Sequence, residues 1–342
     1  MSDRVFHPSP AAASASEPGA RAGGSPATTG AHPEAAGATS AHRARPVTLC
    51  GSIARLAGPV GRALHEAGYR ALGLPFAYVP FAVEPARLGD AIRGMRALGI
   101  RGLGVSQPFK ETVIALLDDL DPVARRIGAV NTIVNGDGTL VGHNTDWMGA
   151  TRALEEVRPV SGARVLLVGA GGAARAIAFG LREKGARTAI TNRDAARAER
   201  LAAEAGAQPV PWAETRSAAR YDVVINATSA GQRSSEGERQ SEASVVPESA
   251  LAPGLVVFDI VYKPFETPLV RAARRRGATA IHGGRMLLFQ AAAQFELYTG
   301  SPAPLPDMER ALLEAADAID ATGLAGATDT AGDARPAATK VL

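Results

Sequence analysis

The chain carries one cysteine, Cys50, among 342 residues. It cannot form an internal disulfide, which fits a reducing, cytoplasmic setting. Cys50 closes the apolar run Val47-Thr48-Leu49-Cys50, so it reads as a buried strand residue and not as a nucleophile. Long hydrophobic runs are also missing. No segment reaches the roughly 18 apolar residues of a membrane span, and the N-terminus lacks the continuous apolar stretch of a signal peptide. Charge of one sign is scarce: the formal net charge is +3, too small to argue for nucleic acid. The densest basic cluster, Arg274-Arg275-Arg276 after Pro268-Leu269-Val270, reads as a solvated helix end. Bulky aliphatics are nearly absent from residues 1–46, and residues 321–342 look the same. Such stretches bury too little surface to offset their ordering entropy, so both are expected to be disordered tails.

What is present is an ordinary globular composition, 46% hydrophobic and 21% charged, long enough for two domains with a core each. Strand signals at Val47–Cys50, Ala77–Val83 and Gly102–Ser106 alternate with helix signals at Gly61–Tyr69, Pro85–Leu98 and Glu111–Asp118. That rhythm predicts a mostly parallel sheet. An antiparallel pair, Asn131–Val134 and Leu140–His143, follows around Gly136-Asp137-Gly138.

A second unit begins near Arg164. Val165–Val168 is wholly apolar, as a strand covered on both faces should be. It runs into Gly169-Ala170-Gly171-Gly172-Ala173-Ala174 and then a helix, Arg175–Glu183. Gly169, Gly171 and Ala174 fit the small-residue pattern for a tight turn, pyrophosphate approach and helix packing. Further strands are expected at Arg187–Thr191, Val223–Asn226, Val256–Asp259 and Thr279–Ile281, which outlines a dinucleotide-binding fold. The strand Arg187–Thr191 runs into Asn192-Arg193-Asp194, with Arg197 one turn on. Arg193 and Arg197 suit a 2′-phosphate and point to NADP(H). Asp194 argues mildly for NAD, but it also suits the N-cap of the helix it precedes.

Several motifs occur together: Ser106-Gln107-Pro108-Phe109-Lys110-Glu111, Gly128-Ala129-Val130-Asn131-Thr132, Asn144-Thr145-Asp146, the glycine turn, Asn226-Ala227-Thr228-Ser229, Tyr262 with Thr267-Pro268-Leu269, and Gln290-Ala291-Ala292. In order and spacing the chain resembles the shikimate dehydrogenase family from about Val47 to Leu313. The resemblance implies an α/β protein of two domains. A substrate domain of residues 47–147, completed by helices 285–320, would enclose a Rossmann-type NADP-binding domain of residues 148–284. It also implies catalytic roles for Lys110 and Asp146, and substrate contacts from Ser106, Asn131, Tyr262 and Gln290. Cofactor contacts are implied for Gly169, Ala170, Gly171, Gly172, Ala173, Asn192, Arg193, Arg197, Thr228, Gly283 and Met286, with no metal. Hydride reduction of a ketone builds negative charge on its oxygen, which a lysine beside a carboxylate can stabilise and protonate. Alone, Lys110 would read as a helix-start surface lysine and Asp146 as a helix N-cap.

The implied activity is NADPH-dependent reduction of 3-dehydroshikimate to shikimate by a monomer or homodimer with small-molecule partners, neither membrane nor nucleic acid. A paralogue acting on quinate or another cyclohexene acid, and a non-catalytic nucleotide sensor, are the alternatives. The family's usual serine pair for the substrate carboxylate is replaced here by Leu56 and Gly58, an asparagine by Gly104, and a glycine by Arg285. Arg55 and Arg285 are the candidates to hold a carboxylate in place of the serines.

Overall fold

Short strands alternating with amphipathic helices build two six-stranded sheets in one chain. The structure, a computed structural model, describes residues 46–232 and 244–325. The tails expected at 1–46 and 321–342 therefore lie almost wholly outside the described residues.

The first sheet begins with β1 (Thr48–Ala54), α1 (Val60–Ala71), β2 (Phe76–Ala82), α2 (Leu88–Ala97) and β3 (Gly102–Val105). It continues with β4 (Asp119–Leu120), α3 (Pro122–Ile127), β5 (Thr132–Gly136), β6 (Thr139–His143) and α4 (Asp146–Glu155). The strand order is β2-β1-β3-β5-β6-β4. β1 runs parallel to β2 and β3, whereas β5 and β6 form the expected antiparallel pair. Pairing on both sides carries β1 on to Ala54, beyond the apolar run that marked it in the sequence.

The helix expected at Glu111–Asp118 is instead a single tight turn, Thr112–Leu116. Its run Thr112-Val113-Ile114 is β-branched and poorly suited to a helix, and Val113 is fully buried in the core. The Asp118 carboxylate then accepts the Leu140 backbone N–H and pairs with Arg96, which draws the chain into β4. Asp121 caps α3 through its carboxylate, with Pro122 at the first helical position.

The second sheet comprises β7 (Arg164–Val168), α5 (Gly172–Glu183), β8 (Arg187–Thr191), α6 (Ala195–Ala205), β9 (Gln208–Pro209), β10 (Val223–Asn226), β11 (Val256–Asp259), α7 (Pro268–Arg275) and β12 (Thr279–His282). All strands are parallel in the order β12-β11-β10-β7-β8-β9. This is the doubly wound arrangement of a dinucleotide-binding domain, whose order reverses between β7 and β10. α7 ends at Arg275 with its arginines paired to Glu266 and Glu248, the solvated helix end expected there.

The chain returns through α8 (Gly283–Thr299) and α9 (Leu305–Ala325). Ala321–Ala325 thus belong to a helix and not to a tail, because α9 is rich in alanine and leucine, the strongest helix formers. α8 packs closely on α4 because Gly149 has no side chain. A Cβ there would lie 2.6 Å from the Met286 carbonyl oxygen. Cys50 is fully buried in β1, and burial pushes its thiol up to about 11, as suits a structural cysteine.

Candidate active site

The end of β3 leads into Ser106–Lys110, the end of β6 into Asn144–Asp146, and Asn131 stands just before β5. Parallel and antiparallel pairing brings these three segments to one rim of the sheet. Lys110 Nζ donates to Asp146 Oδ2 at 2.7 Å, and Asp146 is 5% exposed. The other carboxylate oxygen accepts from Asn131 Nδ2 at 2.8 Å. Asn131 is itself fixed, since its Oδ1 accepts from the Thr132 hydroxyl and the Thr145 backbone N–H, both at 2.7 Å. Its amide nitrogen also lies 3.3 Å from Gln290 Oε1 on α8.

Asp146 is the first residue of α4 and not its cap, contrary to the capping alternative. Asn144 Oδ1 takes the Asp146 backbone N–H at 3.0 Å, which leaves the Asp146 carboxylate for Lys110 and Asn131. The N-terminal end of α4 favours that negative charge.

Lys110, Ser106, Asn131, Tyr262 and Gln290 line one cleft of about 270 Å³. All four expected substrate contacts therefore meet at the lysine. Ser52, His65, Tyr78, Lys263 and Gln294 line it too, and no motif in the sequence points to them. His65 is completely buried and stacks on Tyr78 with ring centroids 4.4 Å apart. Its Nε2 lies 3.4 Å from Gln294 Oε1, and its Nδ1 has no partner. Gln294 Nε2 reaches the Asn131 carbonyl at 3.2 Å and the Thr132 hydroxyl at 3.0 Å. A chain of polar contacts thus joins His65 to the residues that hold Asp146.

Burial holds the His65 imidazole at about 4 instead of 6.5. The unfolded chain therefore takes up a proton below pH 6.5 that the folded protein refuses until about pH 4. Stability due to this group is complete above pH 6.5 and falls as the pH drops to 4. At ~1.4 kcal/mol per pH unit, the loss is about 3 kcal/mol. In urea unfolding, the stability difference between wild type and His65→Gln should shift against the wild type by that amount between pH 7 and 4. A difference independent of pH would show that His65 titrates as it does in water.

The two candidates for holding a carboxylate are both elsewhere. Arg285 pairs with Glu156 (Nε to Oε2, 2.9 Å) and with Glu309, and it lies over the Phe289 ring at 5.1 Å. Arg55 is exposed and outside the cleft wall. Arg285 is engaged by two carboxylates, and neither arginine lines the cleft that Leu56 and Gly58 line.

A second cleft of about 550 Å³ opens where the strand order of the second sheet reverses. Gly169, Ala170, Gly171, Asn192, Arg193 and Thr228 line it. Gly169 has φ +124°, and a Cβ there would come within 2.8 Å of the Ala227 carbonyl oxygen. At Gly171 and Gly172 a Cβ would meet nothing within 4 Å, and no side chain caps α5. The uncapped N–H groups of its first turn thus face open space, a setting that fits a pyrophosphate. Asp194 is the N-cap of α6, accepting from the Arg197 N–H at 3.2 Å.

Arg197 stands exposed on α6, outside the cleft lining, because that helix begins at Ala195 and carries it past the rim. Gly172 and Ala173 open α5 and likewise fall outside the lining. Gly283 is packed against the Ile260 and Val261 carbonyls, and Met286 lies in the core between the helices.

Behind Thr228, buried Asp259 accepts from Asn226 Nδ2 (2.9 Å), the Val261 N–H (3.1 Å) and the Thr267 hydroxyl (2.6 Å). Asn226 Oδ1 in turn receives the Thr228 N–H at 3.0 Å. The motif around Asn226 therefore fixes the loop that walls the cleft. Among the described residues no helix is long and apolar enough to cross a membrane, and no His/Cys/Asp/Glu group could hold a metal.

Comparison with known proteins matches residues 59–133 to the shikimate dehydrogenase substrate binding domain, 151–262 to shikimate / quinate 5-dehydrogenase, and 283–313 to the shikimate 5'-dehydrogenase C-terminal domain. The chain is 43% identical over 258 residues to a shikimate dehydrogenase (NADP(+)) of Pyrococcus furiosus, covering 73% of this chain and 89% of that protein. A shikimate 5-dehydrogenase of Thermus thermophilus, solved with NADP(H) and shikimate, superposes with TM-score 0.71 at 33% identity, over 79% of this chain and 100% of that one. The 5-ketofructose reductase of a Gluconobacter strain, solved ligand-free, superposes with TM-score 0.71 at 34% identity, over 79% and 99% of the two chains.

Proposed function

The chain belongs to the shikimate dehydrogenase family of oxidoreductases, and on that premise we propose that it catalyses reversible, NADPH-dependent reduction of a small hydroxylated ketone. The family's name puts the pair 3-dehydroshikimate and shikimate first among the substrates to test. The observation that carries the reading is the Lys110–Asp146 contact at 2.7 Å in a cleft with Asn131 and Gln290.

In this reading Gly169, Ala170, Gly171, Gly172 and Ala173 receive the pyrophosphate, and Asn192 and Arg193 meet the 2′-phosphate. Arg197 is a more distant cation for that phosphate. Thr228 lines the wall, while Gly283 and Met286 support the nicotinamide end from α8. Bound there, NADPH supplies the hydride. Lys110 stabilises the charge that builds on the ketone oxygen and delivers its proton to it. Asp146 holds Lys110 in place, Asn131 holds Asp146, and Gln290, Tyr262 and Ser106 orient the substrate hydroxyls. A protein that only sensed nucleotides would have no chemical need for this lysine–carboxylate pair.

A second reading, a ketone other than 3-dehydroshikimate, is favoured by one observation. Leu56 and Gly58, which stand where the family resemblance leads one to expect two serines, line the cleft, and one structural relative is named for reducing 5-ketofructose. Initial rates of NADPH oxidation against 3-dehydroshikimate, 3-dehydroquinate and 5-ketofructose test both. Turnover of any one at least tenfold faster than with NADH is expected. NADPH oxidation indistinguishable from the no-ketone control with every member of the panel would end the reductase reading.

A further inference from the structure

Gln294 brings an amide from α8 into the wall of the substrate cleft, beside β3 and the start of β5. Its nitrogen donates to the Asn131 carbonyl at 3.2 Å and to the Thr132 hydroxyl at 3.0 Å. That hydroxyl has a single proton and gives it to Asn131 Oδ1 at 2.7 Å, so toward Gln294 it accepts. Only one orientation of the amide satisfies both partners. Turned over, its oxygen would face the Asn131 carbonyl oxygen, acceptor against acceptor. His65 Nε2, 3.4 Å from Oε1, then supplies the donor on the remaining side. Every donor therefore points one way, from His65 through Gln294, Thr132 and Asn131 to Asp146 Oδ1.

A glycine makes room for this amide. Gly104 on β3 is paired with Thr132 on β5, and a Cβ on it would lie 3.4 Å from Gln294 Nε2. Directly opposed residues of an antiparallel pair carry their side chains on one face, about 5 Å apart. Position 104, where the family resemblance leads one to expect asparagine, is thus the other place from which an amide could reach Thr132. Resting on the ketone-reductase reading above, we propose that Gln294 is a positioning residue for the reaction, delivering from α8 the amide that β3 lacks. It fixes the rotation of the Thr132 hydroxyl, whose proton would otherwise be shared with Thr145 Oγ1 at 3.3 Å. That hydroxyl in turn keeps the Asn131 oxygen toward itself and Nδ2 toward the carboxylate that holds Lys110.

Steady-state and single-turnover kinetics with NADPH on the best ketone test the assignment. Gln294→Ala should lower kcat by at least about tenfold, since small displacements of a reacting group cost up to ~10²-fold in rate. KM for NADPH should not move, because Gln294 lies outside the cofactor cleft. In an Asp146→Asn background the same change should cost less than about twofold, because the anion it serves is gone. A residue that only filled space would cost the same in both backgrounds. Adding Gly104→Asn to Gln294→Ala should recover at least about fivefold of the lost kcat by restoring the hydrogen bond to Thr132. Adding Gly104→Leu, similar in size but without an amide, should recover nothing.

Equal losses in the two backgrounds, recovery with leucine, or no recovery with asparagine would each overturn the proposal. Should Gln294→Ala not fold, Thr132→Val cuts the same path while keeping the shape of a buried side chain. It should show the same loss and the same dependence on Asp146, and full turnover by it would overturn the proposal. Full turnover by Gln294→Ala would remove this inference and leave the reductase standing. A wild type that turns over no ketone would remove the reductase reading, and this inference with it.

Discussion

Lys110→Ala should lower kcat by about 10²- to 10⁴-fold, the usual contribution of a positioned proton donor. Lys110 is the cation in contact with Asp146, in a cleft also lined by Asn131 and Gln290. Removing it leaves the growing charge on the ketone oxygen with neither a field nor a proton. Cofactor affinity should change little, because Lys110 does not line the cleft at the second sheet. Asp146→Asn should be similarly harmful, since an amide can no longer accept from both Lys110 and Asn131 as an anion does. The double variant should be little worse than either single change, as expected of groups that act as one unit. Steady-state and single-turnover kinetics on the best ketone measure all three. A Lys110→Ala enzyme with most of its turnover, or strict additivity of the two changes, would remove the pair from the chemistry.

Arg193→Ala should reduce the preference for NADPH over NADH by at least about tenfold, mainly through KM for NADPH. Arg193 lines the second cleft at the end of β8, while the neighbouring Asp194 carboxylate is engaged in capping α6. A charge-assisted hydrogen bond to a phosphate is worth roughly 1.5–3 kcal/mol, which is tenfold or more in kcat/KM. The NADH rate should stay nearly constant. Arg197→Ala supplies the contrast, because that residue stands outside the lining and should change the preference much less. Equal use of both cofactors by the wild type would transfer control of the pocket to Asp194.

How far the molecule was legible in its sequence depended on how local each feature is. The glycine turn after β7 could be read directly, because a strand, a turn and a helix start are consecutive and their steric demands are fixed. The Asn192-Arg193-Asp194 segment was legible for the same reason, including the capping role of Asp194. Lys110 and Asp146 were found through their motifs, 36 residues apart, but the capping alternative for Asp146 failed. The sequence could not show that Asn144, two residues earlier, would serve the backbone and free the carboxylate.

The wall of His65, Tyr78 and Gln294 was invisible for a different reason. His65 and Gln294 are separated by 229 positions, and on α1 and β2 the two aromatic residues look like ordinary core members. Only the order β2-β1-β3 and the return of α8 bring them together. The segment after Lys110 misled because a few residues of apparent helix pattern carry little weight against a buried Val113 and an adjoining sheet edge. Arg285 misled because its position in the sequence could not reveal Glu156 and Glu309 waiting beside it.

That same arginine has a consequence for how the chain is assembled. The polypeptide leaves the first sheet at the end of α4 and comes back at the start of α8, and Arg285 joins Glu156 across those two points. Everything between them is a long excursion whose exit and entry are held together. Such an insertion adds little closure entropy to the host, since its ends already meet. The cofactor-binding half is therefore a cassette: a homologous half spliced in at the same neck would inherit its alignment to the lysine from the α4–α8 contact at Gly149, without any redesign of the first sheet.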